Sequence, residues 1–209
     1  RRQGQIFFSG SNAQFNEIIW FYCSENASQI DRYVIYNYAE NIWYFGQLAR
    51  TCWVDAGNTQ YPLAAQNGWV YQHEDGNDDG QPLGASPIGM ECYIQSADVD
   101  IDDGDKFMLI RRIIPDVNFN GSNVNQPYVT MTVKPRRNSG TPYGTADSPN
   151  VQSQDNYSRA GVYNIQEFDG QVYTRLRGRQ LAFRIESNTL GVAWQLGTPR
   201  IDIRQDGRR

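Results

Sequence analysis

The amino-acid sequence predicts an all-β protein, and three observations support that prediction. Residues that fit a half-buried pleated surface are plentiful, with 13 Tyr, 9 Phe and 5 Trp. They stand in short apolar runs that lack the 3.6-residue period of a helix. The 19 Gly and 9 Pro residues supply turns between these runs. With 209 residues, the chain can form one larger domain or two small domains with buried cores.

The richest stretch of strand-like sequence lies between residues 17 and 53. Its apolar runs are bounded by turn residues and predict three strands, at 17–22, 31–38 and 42–48. The turn at 39–41 joins the last two strands into a hairpin. This hairpin is similar to the end of a kelch-like β-propeller blade, where a strand and a short turn lead to a strand that begins with Ile42 and Trp43 here. In that position we expect Trp43 to be buried.

A second, partial blade is predicted downstream, where strands at 62–65 and 69–73 flank an Asn67-Gly68 turn. A propeller needs about four to eight blades. Residues 1–88 therefore predict partial β-propeller blades, and we expect the remaining blades upstream of Arg1.

Residues 89–209 predict a separate β-sandwich-like domain. About seven strands in roughly 120 residues are typical of that architecture. The predicted strands are 90–95, 106–114, 128–133, 171–175, 180–186, 193–196 and 199–204. Residues 135–160 are rich in Pro, Gly, Ser and Asn and predict a long exposed loop.

The sequence contains no motif that is typical of an enzyme or of a cofactor site. It has no Gly-x-Ser-x-Gly elbow, no Walker loop and no closely spaced His or Cys pair. Its one histidine, His73, follows Trp-Val-Tyr-Gln, and a histidine in such a strand is usually packed or at the surface. We therefore predict that the protein is not an enzyme and binds no cofactor.

One acidic segment matches the opening of a calcium-binding loop. Asp75, Asn77 and Asp79 supply oxygen ligands at positions 1, 3 and 5, and Gly80 occupies position 6. Position 12, where a bidentate Glu is expected, is Ser86. An exposed turn explains the same residues and is the favoured interpretation.

A second acidic segment follows at residues 98–105. Alternation with Val99 and Ile101 would place Asp98, Asp100 and Asp102 on one face of a strand. A charged edge strand followed by an Asp-Gly turn explains this segment without a metal ion.

Charge is distributed unevenly along the chain. Residues 1–105 contain 4 basic and 15 acidic residues, whereas residues 106–209 contain 15 and 8. The basic part includes Arg175, Arg177 and Arg179, which alternation would place on one side of a strand. Further arginines follow: Arg184, Arg200, Arg204, Arg208 and Arg209.

Arginine forks pair with carboxylates or with phosphates. The partner of these arginines is therefore the acidic half of a neighbouring subunit, or DNA. No aromatic platforms are interleaved with them, as a single-strand binder would require. This favours subunit contacts, with any contact to DNA non-specific. Two ordinary solvated faces would also explain the uneven charge.

The three cysteines, Cys23, Cys52 and Cys92, are widely spaced and stand among apolar residues. They predict reduced core residues in a protein that is assembled in a cytosol. No apolar run reaches the length that a membrane span needs, so no membrane insertion is expected.

Several segments resemble the C-terminal part of tail hub or nozzle proteins of short-tailed bacteriophages, including the packaged-DNA stabilisation type. They cover most of the chain from Glu17 onward. The matching segments are 31–38, 42–46, 49–53, 100–105, 107–116, 177–187 and 196–203.

This resemblance implies a virion protein of the phage tail that is built on a β-propeller and assembled in the bacterial host cytoplasm. Such proteins form a ring, commonly a hexamer, below the portal and the head-to-tail adaptor proteins. The ring continues the DNA channel, retains the packaged genome and permits its ejection. Arg175, Arg177 and Arg179 are then expected at or near a subunit boundary.

Two other functions remain open. A carbohydrate-binding or glycan-degrading tail component would expose Trp43 and Trp53 in a groove beside a pair of carboxylates. Buried tryptophans would favour the structural role, and that is what we expect. An independent extracellular binding module would be a monomer with a complete fold.

Overall fold

Short strands make up nearly all of the regular structure in the computed structural model, which describes residues 6–80, 85–140, 143 and 160–207. These residues form 19 strands, and two 3₁₀ helices at Ala13–Phe15 and Asp102–Gly104. The protein is therefore all-β, as its sequence predicts. Every strand pairing among the described residues is antiparallel.

The chain divides into two compact units, which interrupt each other briefly in sequence. Unit 1 consists of Arg1–Gly76 and Gly80–Ala85, and unit 2 of Asn77–Asp79 and Ser86–Arg209. From the sequence alone, we place the boundary between residues 88 and 89.

Unit 1 contains two sheets in which each strand pairs with the next one along the chain. The four-stranded sheet is β1 (Phe8–Asn12), β2 (Glu17–Tyr22), β3 (Arg32–Asn37) and β4 (Ile42–Gln47). The three-stranded sheet is β5 (Cys52–Val54), β6 (Leu63–Gln66) and β7 (Trp69–Gln72). The predicted hairpins are confirmed. Asn67 and Gly68 both have positive φ, at 50° and 81°, as a two-residue type I′ turn requires.

The core of unit 1 is small. Four buried residues form it: Ile19, Phe21, Ile30 and Ile35. The ring of Phe21 stacks on Phe8 with centroids 4.7 Å apart. Trp53 packs against the same cluster and donates its indole N–H to the Ser11 carbonyl oxygen at 2.8 Å.

Unit 2 contains two larger sheets and two short strand pairs. In the first sheet the order is β10-β17-β14-β15, and β11 also pairs with β17. The second sheet has the order β16-β12-β19, and the short pairs are β8-β9 and β13-β18. The strands are β8 (Asp78–Asp79), β9 (Ile88–Gly89), β10 (Cys92–Gln95), β11 (Val99–Asp100), β12 (Met108–Ile114), β13 (Val117–Asn118), β14 (Tyr128–Arg136), β15 (Gly161–Gln166), β16 (Val172–Gly178), β17 (Gln180–Ser187), β18 (Gln195–Leu196) and β19 (Arg200–Gln205).

Both larger sheets contribute to one core. The second sheet supplies Met108, Ile110, Ile113 and Leu176. The first sheet supplies Val129, Met131, Val133, Ile165, Leu181 and Ile185. Alternate residues of β14 are buried, as its alternating sequence predicts.

The predicted loop at 135–160 begins too early. β14 continues through Arg136, because Pro135 and Arg136 pair with Leu181 and Gln180 of the neighbouring strand β17. Pairing with β17 therefore keeps Pro135 and Arg136 in a strand, although the composition of the segment 135–160 indicates a loop. Most of the remaining segment, 141–142 and 144–159, lies outside the described residues.

The uneven charge along the chain does not separate the two units. Unit 1 contains 4 basic and 7 acidic residues, a balance of −3, and unit 2 contains 15 and 16, a balance of −1. The acidic residues between 91 and 105 fold into the same unit as the basic residues that follow them. The predicted acidic and basic halves are therefore not separate bodies.

Candidate functional site

A bulge in β12 directs arginines to the outside of the sheet β16-β12-β19. The sequence Ile110-Arg111-Arg112-Ile113 breaks strict alternation, and the register shifts between Ile110 and Arg112 on both neighbouring strands. The extra residue lets Ile110 and Ile113 both remain in the core while Arg112 points outward.

The outward residues of the three strands form cross-strand rows. Arg177, Leu109 and Arg204 are register partners in one row, and Tyr173, Arg112 and Asp202 in the next. We call five of the exposed arginines on these strands the arginine face; they are Arg112, Arg175, Arg177, Arg200 and Arg204. Arg111, which precedes Arg112 at the bulge, is exposed as well but is not counted in this face.

Few of these arginines are engaged within the chain. Arg177 donates to an Asp206 carboxylate oxygen at 2.5 Å and lies over the Phe107 ring. Arg112 makes a long hydrogen bond to Gln171, at 3.4 Å. Among the described residues, the side chains of Arg175, Arg200 and Arg204 have no hydrogen-bond or ion-pair partner.

An open depression of about 420 Å³ lies at one end of this face. Its lining residues are Arg112, Ile114, Arg200, Ile201 and Asp202. Two arginines against one aspartate give the depression a positive formal charge, and this suits an anionic group of modest size.

Of the three arginines singled out from the sequence, two lie on the arginine face, and the third lies off that face but packs on the same Phe107 ring as Arg177. Arg175 and Arg177 are both on the arginine face. Arg179 lies beyond the end of β16 and is partly buried, so the predicted alternation fails there. Its guanidinium donates to the carbonyl oxygens of Gly104 and Asp105, at 3.1 and 2.6 Å. Arg179 therefore anchors the acidic turn of its own unit.

Sequence reasoning missed two features of this face. It did not join Arg112 to the other arginines, because only the β12 pairing brings them together. It also missed Tyr173, which is 71% exposed and lies on the same face, two residues before Arg175. An aromatic side chain is thus interleaved with the arginines, contrary to the prediction.

The outward face of the four-stranded sheet in unit 1 is aromatic. We call this the aromatic face; its members are Trp20, Tyr36, Trp43 and Phe45. Trp43 stacks on Tyr36 and on Trp20, with centroid distances of 4.5 and 5.7 Å. Trp43 is 61% exposed and Phe45 is 71% exposed. The prediction that Trp43 is buried is therefore wrong, since no described residue of unit 1 covers this face of the sheet.

Two carboxylates meet on the opposite face of the same sheet. The Asn12 side-chain amide donates to Glu17 at 3.3 Å and to Glu74 at 3.2 Å. Burial, reinforced by the neighbouring Glu74, raises the pKa of Glu17 to about 7. Burial also raises the pKa of Glu74. Because Glu17 alternates with the outward-facing residues of β2, this pair does not lie beside the aromatic face.

His73 occupies a packed position. Its Nε2 accepts a hydrogen bond from Arg50 Nε at 3.0 Å, and its ring lies 4.9 Å from that of Trp53. Burial and the positive charge of Arg50 lower the pKa of His73 to about 4. The imidazole is therefore neutral at pH 7, as an acceptor of that hydrogen bond must be.

The candidate calcium ligands are divided between the two units. Asp75 belongs to unit 1 and accepts a hydrogen bond from Gln72 at 2.7 Å. Asn77 and Asp79 belong to unit 2, where Asn77 donates to the Gly121 carbonyl oxygen at 2.8 Å. Within the described part of the chain, no three His, Cys, Asp or Glu side chains cluster as metal ligands would. Calcium binding by this loop stays a prediction.

The acidic segment at 98–105 has structural roles. Asp98 forms an ion pair with Arg136 at 2.9 Å and accepts a hydrogen bond from the Tyr143 hydroxyl at 2.5 Å. Asp102 pairs with Lys106 inside the predicted turn. Only Val99 and Asp100 form a strand here, so three aspartates do not share one strand face.

The three cysteines are free, but they are not all in the core. Cys52 is exposed, whereas Cys23 and Cys92 are partly buried. Cys92 accepts a hydrogen bond from the Trp194 indole at 3.2 Å. The prediction of three core cysteines therefore fails at Cys52, whose side chain alternates away from that of Trp53 on a three-residue strand.

No protein-family model matches the sequence, and no curated protein is significantly similar to it. In the ranges that the structure describes, no helix is long and apolar enough to cross a membrane. The arginine face and the aromatic face are therefore the two candidate functional surfaces of the described structure.

Proposed function

We propose that the chain is a structural subunit of a bacteriophage tail hub or nozzle and has no enzymatic activity. Copies assemble into a closed ring that continues the DNA channel, retains the packaged genome and permits its ejection. The ring contacts other tail proteins and the head-to-tail adaptor. The sequence segments that resemble such proteins support this proposal, as does the all-β fold.

The exposed aromatic face is the observation that carries the proposal. Trp43 and Phe45 are both more than half exposed on an edge strand, and the rings of Trp20 and Tyr36 stack with Trp43 on the same face. Contiguous apolar surface of this kind commonly marks a protein–protein interface. We assign its occupant to a neighbouring copy of the chain, since a ring requires a heterologous contact that closes on itself.

We also propose that unit 1 contains blades of a β-propeller and that unit 2 is a β-sandwich-like domain. A four-stranded antiparallel sheet whose strands pair in chain order has the form of one propeller blade. The three-stranded sheet that follows would be part of a second blade. In unit 2, the core shared by two sheets supports a sandwich-like arrangement.

Assembly of the full chain tests the proposal. We expect sedimentation velocity and negative-stain microscopy to show a closed ring, most simply with six-fold symmetry. The double variant Trp43→Glu/Phe45→Glu should sediment as a monomer, because two charges would be buried without partners.

A matched control places a charge on another exposed aromatic residue. Phe168 is 93% exposed and lies in unit 2, outside the aromatic face, so Phe168→Glu should leave the ring intact. A wild-type chain that remains monomeric at all concentrations would overturn the assembly proposal. A ring that survives the double variant would remove the aromatic face from the interface.

Carbohydrate binding is the second candidate, and the stacked row of Trp20, Trp43 and Tyr36 favours it. Exposed aromatic rings offer apolar surface to the faces of sugar rings. Glycan degradation is less well supported, since Glu17 and Glu74 lie on the opposite face of the sheet. A glycan array and titration calorimetry test this candidate. Binding that is lost in Trp43→Ala by a monomeric protein would favour it over the ring.

A further inference from the structure

The arginine face is the most strongly charged surface that the described structure presents on a single sheet. The three strands β12, β16 and β19 carry six arginines and one acidic residue, Asp202, with no lysine. Asp206 follows β19 directly and pairs with Arg177. Arginine is chosen over lysine where phosphate or carboxylate is bound through two parallel hydrogen bonds.

The spacing of these arginines suits a repeating anion. Outward residues of one strand are about 6.6 Å apart, and neighbouring strands are about 4.8 Å apart. Arg175 and Arg177 on β16, with Arg200 and Arg204 on β19, therefore flank Arg112 of the central strand. Such a grid matches an extended chain of phosphates better than one isolated carboxylate.

A second copy of the chain does not offer an obvious acidic complement. Neither unit is strongly acidic, and four carboxylates of unit 2 already form ion pairs within the unit. These pairs are Asp98–Arg136, Asp102–Lys106, Asp206–Arg177 and Glu186–Arg184. Charge complementarity therefore points to a polyanion outside the protein.

Tyr173 adds an exposed aromatic ring, which the binding of carboxylates would not require. Its ring is 71% exposed beside Arg112 and Arg175, and its hydroxyl accepts a hydrogen bond from Gln171 at 2.7 Å. An exposed aromatic ring between arginines is the combination on which a nucleic-acid base stacks while its phosphates are neutralised.

We propose that the arginine face binds nucleic acid through its phosphate backbone, and that Tyr173 stacks on a base wherever the strand is single. Binding is independent of sequence, because no arginine here is inserted into a groove by a helix or loop. The inference rests on the arginine face alone and requires neither the ring nor the aromatic face.

Fluorescence anisotropy of the full chain with labelled DNA tests this inference. A single strand and a duplex of the same sequence are titrated over a series of salt concentrations. We expect both to bind at low salt and to weaken steeply as salt rises. The double variant Arg175→Gln/Arg204→Gln should lower the slope of log K against log salt by about 2.

Two further variants make the result specific. Tyr173→Ala should weaken single-strand binding roughly tenfold and leave duplex binding nearly unchanged. Arg184→Gln removes a charge from the other sheet of unit 2 and should not change the slope. Circular dichroism and thermal melting establish that each variant folds, and sedimentation reports assembly separately from binding.

Polyglutamate serves as the competing polyanion. Displacement of DNA by polyglutamate at equal charge concentration would assign the face to an acidic protein surface and overturn the nucleic-acid proposal. Absence of DNA binding at low salt, or equal slopes in the wild type and the double variant, would overturn it as well.

Discussion

The two units differ in how much of their apolar surface they bury. Unit 2 has a core cluster of twelve buried residues drawn from both larger sheets and their connections, whereas the corresponding cluster of unit 1 has four. Unit 1 nevertheless carries Trp43 and Phe45 on its surface. Unit 2 thus has the larger core, and unit 1 leaves aromatic surface exposed. In unit 2, the outward face of the sheet β16-β12-β19 is charged instead.

The largest effect is expected from a side-chain truncation in the small core of unit 1. Phe21 is fully buried and contacts the rings of Phe8, Tyr33 and Trp53. Phe21→Ala should cost about 3–5 kcal/mol, which is a large part of the stability of a small domain. We expect unit 1 to lose its cooperative urea transition while that of unit 2 persists. A single transition with a lowered midpoint would mean that the two units fold as one.

A comparable side-chain truncation in the larger core of unit 2 should be better tolerated. Ile185 is fully buried between neighbouring strands of the first sheet of unit 2. Ile185→Ala should cost about 2–5 kcal/mol, and we expect unit 2 to remain folded with a lower urea midpoint. Phe168→Ala is the matched control in the same unit, because removing a ring that is 93% exposed should change the midpoint of unit 2 very little. Complete unfolding by Ile185→Ala would contradict the difference drawn between the two cores.

The carboxylate pair of unit 1 predicts a pH dependence with a definite sign. The folded-state pKa of Glu17, about 7, lies above its ordinary value of 4.5. The folded state therefore holds a proton that the unfolded state has released between these values. Stability from this group is full below pH 4.5 and falls as pH rises toward 7. Glu17→Gln should remove this fall, which we place on the order of 2 kcal/mol.

His73 acts in the opposite direction over nearly the same range. Its folded-state pKa, about 4, lies below the ordinary 6.5, so the unfolded state takes up a proton first as pH falls. Its contribution is full above pH 6.5 and is lost as pH falls toward 4. His73→Gln should remove this part of the fall in the free energy of unfolding as pH falls from 6.5 toward 4. Urea titrations from pH 4 to 8 should show opposite changes in slope for the two variants, and slopes that change in the same direction would contradict both assignments.

The sequence predicts local features of this fold well and non-local ones poorly. The hairpin through Asn67 and Gly68 follows from two residues that accept positive φ, and the strand at 128–133 from its own alternation. Arg112, Arg175 and Arg204 are far apart along the chain, so only strand pairing reveals that they share a face. The exposure of Trp43 depends on what covers its sheet, and no local pattern encodes that.

The uneven charge along the chain shows the same limit. It suggests an acidic body and a basic body, but antiparallel pairing places acidic and basic segments side by side within unit 2. Val99–Asp100, for example, pairs with the strand that carries Arg184. Charge counted along a sequence predicts a surface only where neighbouring residues remain neighbours in space.

The smallest expected effect concerns the arginine face itself. Arg175 has no partner among the described residues, and Arg177 forms an ion pair in which both side chains are more than one-third exposed. Arg175→Gln should leave the urea midpoint of unit 2 unchanged, and Arg177→Gln should cost less than about 1 kcal/mol. Arginines that contribute so little to folding, yet concentrate on one face, fit the proposed role in binding. A loss of several kcal/mol in Arg175→Gln would instead assign them a structural role.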